Sequence, residues 1–342
     1  MNYKNEKRNL IIALIIINFQ IFLNKELKEQ RNLNQITKIS IIVNWAGNQS
    51  ILSGQKLSNH YFNDIPSFIF INNVLQNYTG IFAYDLEDPE NNITMIWEHL
   101  FTNCDAMFYG LSNITKIEFI NFDTSKVTSL YGIFYDCKLM TSLNLNNFDS
   151  SKVQIMDGIF FDCFSLKSLD LSNFNTSSVI SMNSLFSNFI LLTSINLSNF
   201  DTSLVTEMYF MFYGCESLKS LNISNFNTSL VSDMMGIFTN CYLLTSLDLT
   251  NFDTSSVTTM QRMFYNCTSL ISLKINFTTP KLTNLESMFR NCNSLLFLDL
   301  HNLIISSANI NNIFNNININ NNLIFCINER NNPNIISYLN SN

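Results

Sequence analysis

Residues Leu247–Leu270 read LDLTNFDTSSVTTMQRMFYNCTSL, and the reading of this stretch decides the fold. Leu247-Asp-Leu249 alternates apolar and polar, the period-two mark of a half-buried strand. Asn251-Phe-Asp-Thr-Ser255 is turn chemistry, in which Asx and Ser/Thr side chains bond nearby backbone groups. Phe252, apolar in its midst, is expected to plug the core. Val257, Met260, Met263, Phe264, Cys267 and Leu270 then fall at spacings of three, three, one, three and three. Those spacings describe one face of a short helix, with Thr258 as its N-cap.

Working outward, the same phrase recurs along the chain. Its turn phenylalanine stands at Phe122, Phe148, Phe174, Phe200, Phe226 and Phe252, each step being 26 residues, then at Phe277, with Leu303 in the following slot. A second ladder holds Phe134, Phe160, Phe186, Phe212, Phe238, Phe264 and Phe289. A third holds Cys137, Cys163, Cys215, Cys241, Cys267 and Cys292, with Phe189 in the missing place. Thr206, Ser232 and Thr283 repeat the cap slot of Thr258, whereas Gln154 and Ile180 interrupt it. One such unit cannot bury both a strand face and a helix face; stacked neighbours can. The expectation is an α/β solenoid, leucine-rich-repeat-like, of about eight 26-residue coils. Each coil would be a short parallel strand, a turn and a short helix. Helices are wider than strands, so the sheet should line a concave face.

The flanks lack the repeat. Residues 1–31 carry a basic start (Lys4, Lys7, Arg8) and an apolar run from Leu10 to Leu23, which reads as a signal peptide or an uncleaved signal anchor with a short linker. Residues 32–97, with strand-like runs at Ile39–Val43, Phe68–Ile71 and Ile81–Tyr84, read as a small β-rich N-terminal cap. The repeat solenoid is placed at 98–316, and 317–342 is a C-terminal cap and frayed tail.

Composition narrows the function. Charged residues are 13% of the chain and the net charge is −7, with no cluster of Lys and Arg beyond the first residues; nucleic acid is not an expected partner. Glycine numbers only 8, so a fold needing many turns of positive φ is not expected unless Asn supplies them. The three histidines, His60, His99 and His301, lie in different regions, and no nucleophile elbow, phosphate loop or zinc-protease motif occurs. The expectation is a protein that is not an enzyme, with no cofactor and no metal.

The phrase at Leu247–Leu270, repeated from about residue 98 to 316, resembles that of the BspA-like leucine-rich-repeat surface proteins. The resemblance implies a right-handed solenoid, secreted or on the extracellular face of a cell, used in adhesion or recognition. It brings no catalytic residues. The implied partners are an extracellular protein or carbohydrate, or a second copy of the chain. A membrane would be met only through the N-terminal apolar segment, if that is uncleaved. A structural coat or matrix component that self-associates is the competing role.

The strand face is where a partner is expected to dock. Its outward positions are Asn144, Asp170, Asn196, Asn222, Asp248, Lys274, Phe297 and Asp299, and Phe297 alone is aromatic. Acceptors for N-glycosylation are Asn48, Asn77, Asn92, Asn113, Asn175 and Asn227; Asn196, Asn222, Asn266 and Asn276 also precede x-Ser/Thr. The residue after the turn phenylalanine runs Asp123, Asp149, Asn175, Asp201, Asn227, Asp253, which reads as a hydrogen-bonded turn ladder in preference to a row of calcium sites. The cysteine ladder reads as buried thiols, because Phe189 replaces one of them; pairing between adjacent coils is the alternative. A threonine ladder (Thr124, Thr176, Thr202, Thr228, Thr254) raises an ice- or mineral-binding face as a third possibility.

Overall fold

A computed structural model describes residues 37–337, apart from 45, 54–58, 61, 63, 77–82, 147, 305–307, 318–322, 329–331 and 334. The proposed signal segment and Asn77 lie outside the described residues.

Alternating burial builds the first strands. β1 (Thr37–Val43) and β6 (Asn91–Trp97) each bury every second residue and pair antiparallel, Ile39 opposite Met95 and Ile41 opposite Ile93. β3 (Phe68–Ile71) extends this sheet beyond β6 and carries the hairpin partner β4 (Val74–Gln76). A separate ribbon pairs β2 (Gly47–Ser50) with β5 (Ala83–Leu86). On its other side β1 pairs antiparallel with β7 (Ile114–Asn121), and β7 pairs parallel with β8 (Ser142–Asn144). β7 is therefore where the antiparallel cap becomes the parallel repeat. Later coils contribute β9 (Ser246–Leu249), β10 (Ser272–Ile275), β11 (Phe297–Leu300) and β12 (Ile324–Ile327), stacked parallel in chain order. The equivalent residues 168–171, 194–197 and 220–223 form no strand. There the inward Leu169, Ile195 and Leu221 are only half-buried, whereas Leu247 and Leu273 are buried.

The segments read as short helices are not helical, and this corrects the fold class: the repeat is a β-solenoid of 26-residue coils, not an α/β one. In residues 260–267 the N–H groups of Met260, Arg262, Phe264 and Asn266 donate to carbonyls of the next coil, at Asn284, Glu286, Met288 and Arg290. Those of Met263, Tyr265 and Cys267 donate three residues back. Arg262 and Asn266 both have φ near +60°, which no right-handed helix tolerates. The pair recurs in every coil from Ala106 and Gly110 to Asn312 and Asn316. All but Ala106, Ser184, Phe210, Arg262 and Ser287 of these residues are Gly, Asn or Asp, the types that reach the left-handed region at least cost. Two turns four residues apart reproduce the i, i+3, i+4, i+7 apolar pattern, since four is close to the 3.6 of a helix. The expected curvature rested on helix width and goes with it.

Coils are tied on the turn side by an unbroken line of parallel bridges, from Ser129↔Ile155 to Asn284↔Asn309. Thr206, Thr258 and Thr283 cap no helix; their hydroxyls donate to the carbonyl one coil back, at Ile180, Ser232 and Thr258. One connected core runs from Ile39 to Ile335. Its spine is the phenylalanine ladder, whose neighbours from Phe108 through Phe314 stack at 5.5–6.0 Å. All eight cysteines are free thiols. Each ladder cysteine donates its S–H to the carbonyl of the preceding coil's ladder phenylalanine, Cys241 to Phe212 at 3.3 Å and Cys267 to Phe238 at 3.0 Å. Burial pushes the thiols of Cys215 and Cys267 up to about 12, so they stay protonated and unreactive.

Candidate functional site

The strand-face residues are placed together only in part. Asn222, Asp248 and Lys274 surround one shallow depression of about 540 Å³. Lys274, Phe297 and Asp299 border the next, of about 510 Å³, where Phe297 is 44% exposed beside the exposed Ile271 and Leu296. Asn144, Asp170 and Asn196 lie on earlier coils, outside both. Most of these side chains are already engaged. Asn144, Asp170, Asn196, Asn222, Asp248 and Asp299 each accept a hydrogen bond from the backbone N–H two residues on, at 2.9–3.2 Å. These are Asx turns. The N–H of Ser172 holds the Asp170 carboxyl below its usual range, and the Thr250 hydroxyl and N–H do so for Asp248. Lys274 closes on Asp248 at 3.3 Å, both exposed. The second Asx ladder behaves alike, each of Asp123 to Asp253 accepting from the N–H two residues ahead. No group of three or more His, Cys, Asp or Glu able to hold a metal occurs among the described residues.

Of the glycosylation candidates, Asn48, Asn92, Asn175 and Asn227 are exposed. Asn113 is half-buried and its amide donates to Gln49 at 2.9 Å. The threonine ladder cannot face ice or mineral, because Thr124, Thr176, Thr202, Thr228 and Thr254 are all buried.

Among the described residues, two acid–histidine pairs join segments far apart in the chain; in the more exposed one His99 Nε2 lies 2.9 Å from Asp64 Oδ2. His60 Nδ1 lies 2.6 Å from Asp105 Oδ2, and its ring stacks on Tyr131 at 4.0 Å. The other oxygen of Asp105 accepts from the Ser129 hydroxyl at 2.5 Å and from the Tyr131 N–H at 2.9 Å. Serine here bonds the carboxylate and not the imidazole, which is not the order of a nucleophile–base relay. The cluster instead binds the cap to the first full coil.

The strongest concentration of recognition chemistry lies on the turn face. One position per coil, directly after the ladder phenylalanine, reads Tyr109, Tyr135, Phe161, Ser187, Tyr213, Thr239, Tyr265. Tyr109 meets Tyr135 edge-on at 5.4 Å, and Tyr135 stacks flat on Phe161 at 4.3 Å. At Ser187 and Thr239 the column is broken. Both side chains are buried, and each hydroxyl donates to a carbonyl of the following coil, Ser187 to Phe210 at 2.6 Å and Thr239 to Arg262 at 2.5 Å. The breaks open a groove of about 450 Å³ that runs from Phe161 past Tyr213 to Tyr265. Phe210 walls it, standing across Tyr213 at 5.4 Å and 82°. Gly236 makes the room: a Cβ there would lie 2.3 Å from the Phe210 ring. At the far end Arg262 and Arg290 hold their guanidinium carbons 6.0 and 5.7 Å from the Tyr265 ring. Tyrosine, phenylalanine and arginine in a partly buried groove are the usual anchors of an interface. The signal was present in the chain as a tyrosine column recurring at multiples of 26 residues.

The repeat is matched by one family model, described as Mycoplasma protein of unknown function, DUF285, over residues 102–194 and 189–303. No curated protein and no solved structure matches the chain.

Proposed function

The chain belongs to the DUF285 family, and on that premise we propose that it is a non-catalytic recognition solenoid of the cell surface or extracellular space, docking a protein or carbohydrate on its turn face. The observation that carries this reading is the groove between Phe161 and Tyr265, where four aromatic rings and Arg262 converge. Grooves that pair apolar rings with a few polar groups are the common form of a binding site. The strand face, bound up in its own Asx turns, offers less. The resemblance of Leu247–Leu270 to the repeat phrase of BspA-like surface proteins supports an adhesive role. The basic start and apolar run from Leu10 to Leu23 support export.

The test is the location of the protein, by external protease treatment of intact cells together with N-terminal sequencing. Digestion by the external protease is expected, with the chain either starting after the apolar run or retaining it as an anchor. Full protection inside the cell would end this reading.

A further inference from the structure

We propose that the outer edge of β12 is a dimerisation edge, where a second copy of this chain pairs its own β12 antiparallel about a twofold axis. This contact is separate from the turn face and does not rest on the groove. β12 (Ile324–Ile327) ends the stack β9 to β12, and no described strand lies on its far side. The Ile324 N–H donates to the Leu296 carbonyl at 3.0 Å. Backbone groups alternate along a strand, so those of Phe325 and Ile327 point the other way, toward the open edge. Such edges are ordinarily blunted by lysine, proline or a bulge. β12 has none of these: it reads Ile-Phe-Cys-Ile and keeps an unshifted register with β11 over all four residues. The apolar core also ends here half-covered. Leu298 and Leu300 of β11 are buried, whereas Phe325 and Ile327, paired with them on β12, are only half-buried. Around the edge Leu296, Phe297 and Ile324 are 52%, 44% and 60% exposed.

Closure, charge and register select a second copy as the occupant. The N-terminal end of the stack is sealed by the antiparallel pairing of β1 with β7, so a head-to-tail column is unavailable and two like ends must meet. A twofold pair uses both open edges at once, whereas a foreign peptide strand would leave its own outer edge bare. Each chain carries a net −7, and two such copies repel except across an uncharged surface. Leu296, Phe297 and the whole of β12 are uncharged, and Asp299 stands one strand back from the edge. Phe325 fixes the register. Its backbone groups face outward while its ring packs inward on Phe314 at 5.2 Å. Setting Phe325 opposite its own copy makes a hydrogen-bonded antiparallel pair and keeps the inward side chains of both copies on one face. The aromatic spine then runs from Phe314 and Phe325 of one copy into Phe325 and Phe314 of the other. In this register Ile324 stands opposite Cys326 of the second copy, a non-hydrogen-bonded pair with Cα atoms about 4.5 Å apart.

Sedimentation velocity of the whole chain over a concentration series tests this, and a reversible dimer is expected. Ile324→Lys puts a charge on an exposed edge position. It should leave the circular dichroism spectrum unchanged and weaken the dimer about tenfold or more, the scale of a lost hot spot. Ile324→Cys tests the register under oxidised glutathione, which converts two thiols to one disulfide and is itself reduced. The new thiol would lie opposite Cys326 of the second copy, inside the Cα separation of about 4.4–6.8 Å that a disulfide spans, so this variant should run as a cross-linked dimer on a non-reducing gel. The parent chain should not, because its two Cys326 residues lie diagonally at about 7–8 Å. A chain that sediments as a monomer at every concentration would overturn the proposal. A dimer that survives Ile324→Lys would overturn it as well, by placing the contact elsewhere. A dimer weakened by Ile324→Lys but not cross-linked in Ile324→Cys would overturn the antiparallel pairing.

Discussion

At the scale of single residues, the polar composition of this chain is spent largely on its own backbone. Thr202 is the clearest case. Its buried hydroxyl donates to the carbonyl of Asn227 in the next coil at 2.9 Å and accepts that residue's N–H at 2.8 Å. One side chain thereby satisfies both backbone groups of one residue. Thr176 does the same for Asp201, and Ser150 for Asn175. Thr202→Val keeps the shape and removes both bonds, leaving two inward backbone groups without partners. It should cost about 1–3 kcal/mol for each orphaned group, whereas Thr202→Ser should be nearly silent. Urea denaturation of the three proteins decides it, and a valine variant as stable as the parent would refute the role. The asparagine that opens each turn is used similarly: the amide of Asn225 donates to the carbonyls of Leu197 and Phe200 one coil back.

At the scale of the element, the deciding unit is the double turn at 260–267 and its equivalents. Met260, Arg262, Phe264 and Asn266 find acceptors in the next coil and Met263, Tyr265 and Cys267 three residues back, so none of these donors needs the four-back bond of a helix. Far-UV circular dichroism of the folded chain should therefore lack the paired minima of a helix. A spectrum of substantial helicity would contradict the double turn. Gly236 probes the same unit. Its φ is +60°, and a methyl group would meet the Phe210 ring as well as the left-handed strain. Gly236→Ala should lose about 1–2 kcal/mol from conformation alone, with more from the displaced ring. A loss well below 1 kcal/mol in thermal unfolding would mean that this turn is not held left-handed.

At the scale of the whole molecule, cohesion is between neighbours. Phe212 stacks on Phe186 at 5.5 Å and on Phe238 at 5.8 Å and reaches no more distant ring of the ladder. Phe212→Ala should cost about 3–5 kcal/mol by opening a cavity. Hydrogen exchange should rise first in the coils on either side and later at the ends, because stability in such stacks is a sum of adjacent interfaces. A rise that is uniform along the chain would argue against nearest-neighbour coupling. The N-terminal end is closed differently, by the antiparallel pairing of β1 with β7 and by the His60–Asp105 contact, so apolar coil faces there are covered.

Period, register and core membership were legible in the chain alone, because a stack places equivalent residues in equivalent surroundings and so repeats its side chains. The ladders of Phe134, Cys137 and Phe122 identify buried positions without any coordinates, and Phe189 marks the cysteine slot as apolar. The conformation of the apolar segment was not legible. Four-residue turns and a 3.6-residue helix predict the same four apolar positions, and what separates them is the partner of every second N–H, which lies a coil away. Glycine at 132, 158 and 236, inside what would have been helices, was the available warning. The groove, too, awaited the tertiary structure. Tyr213 and Tyr265 are 52 residues apart in the chain, and only the stacking of coils, with Ser187 and Thr239 too small to fill their places, sets them along one open channel.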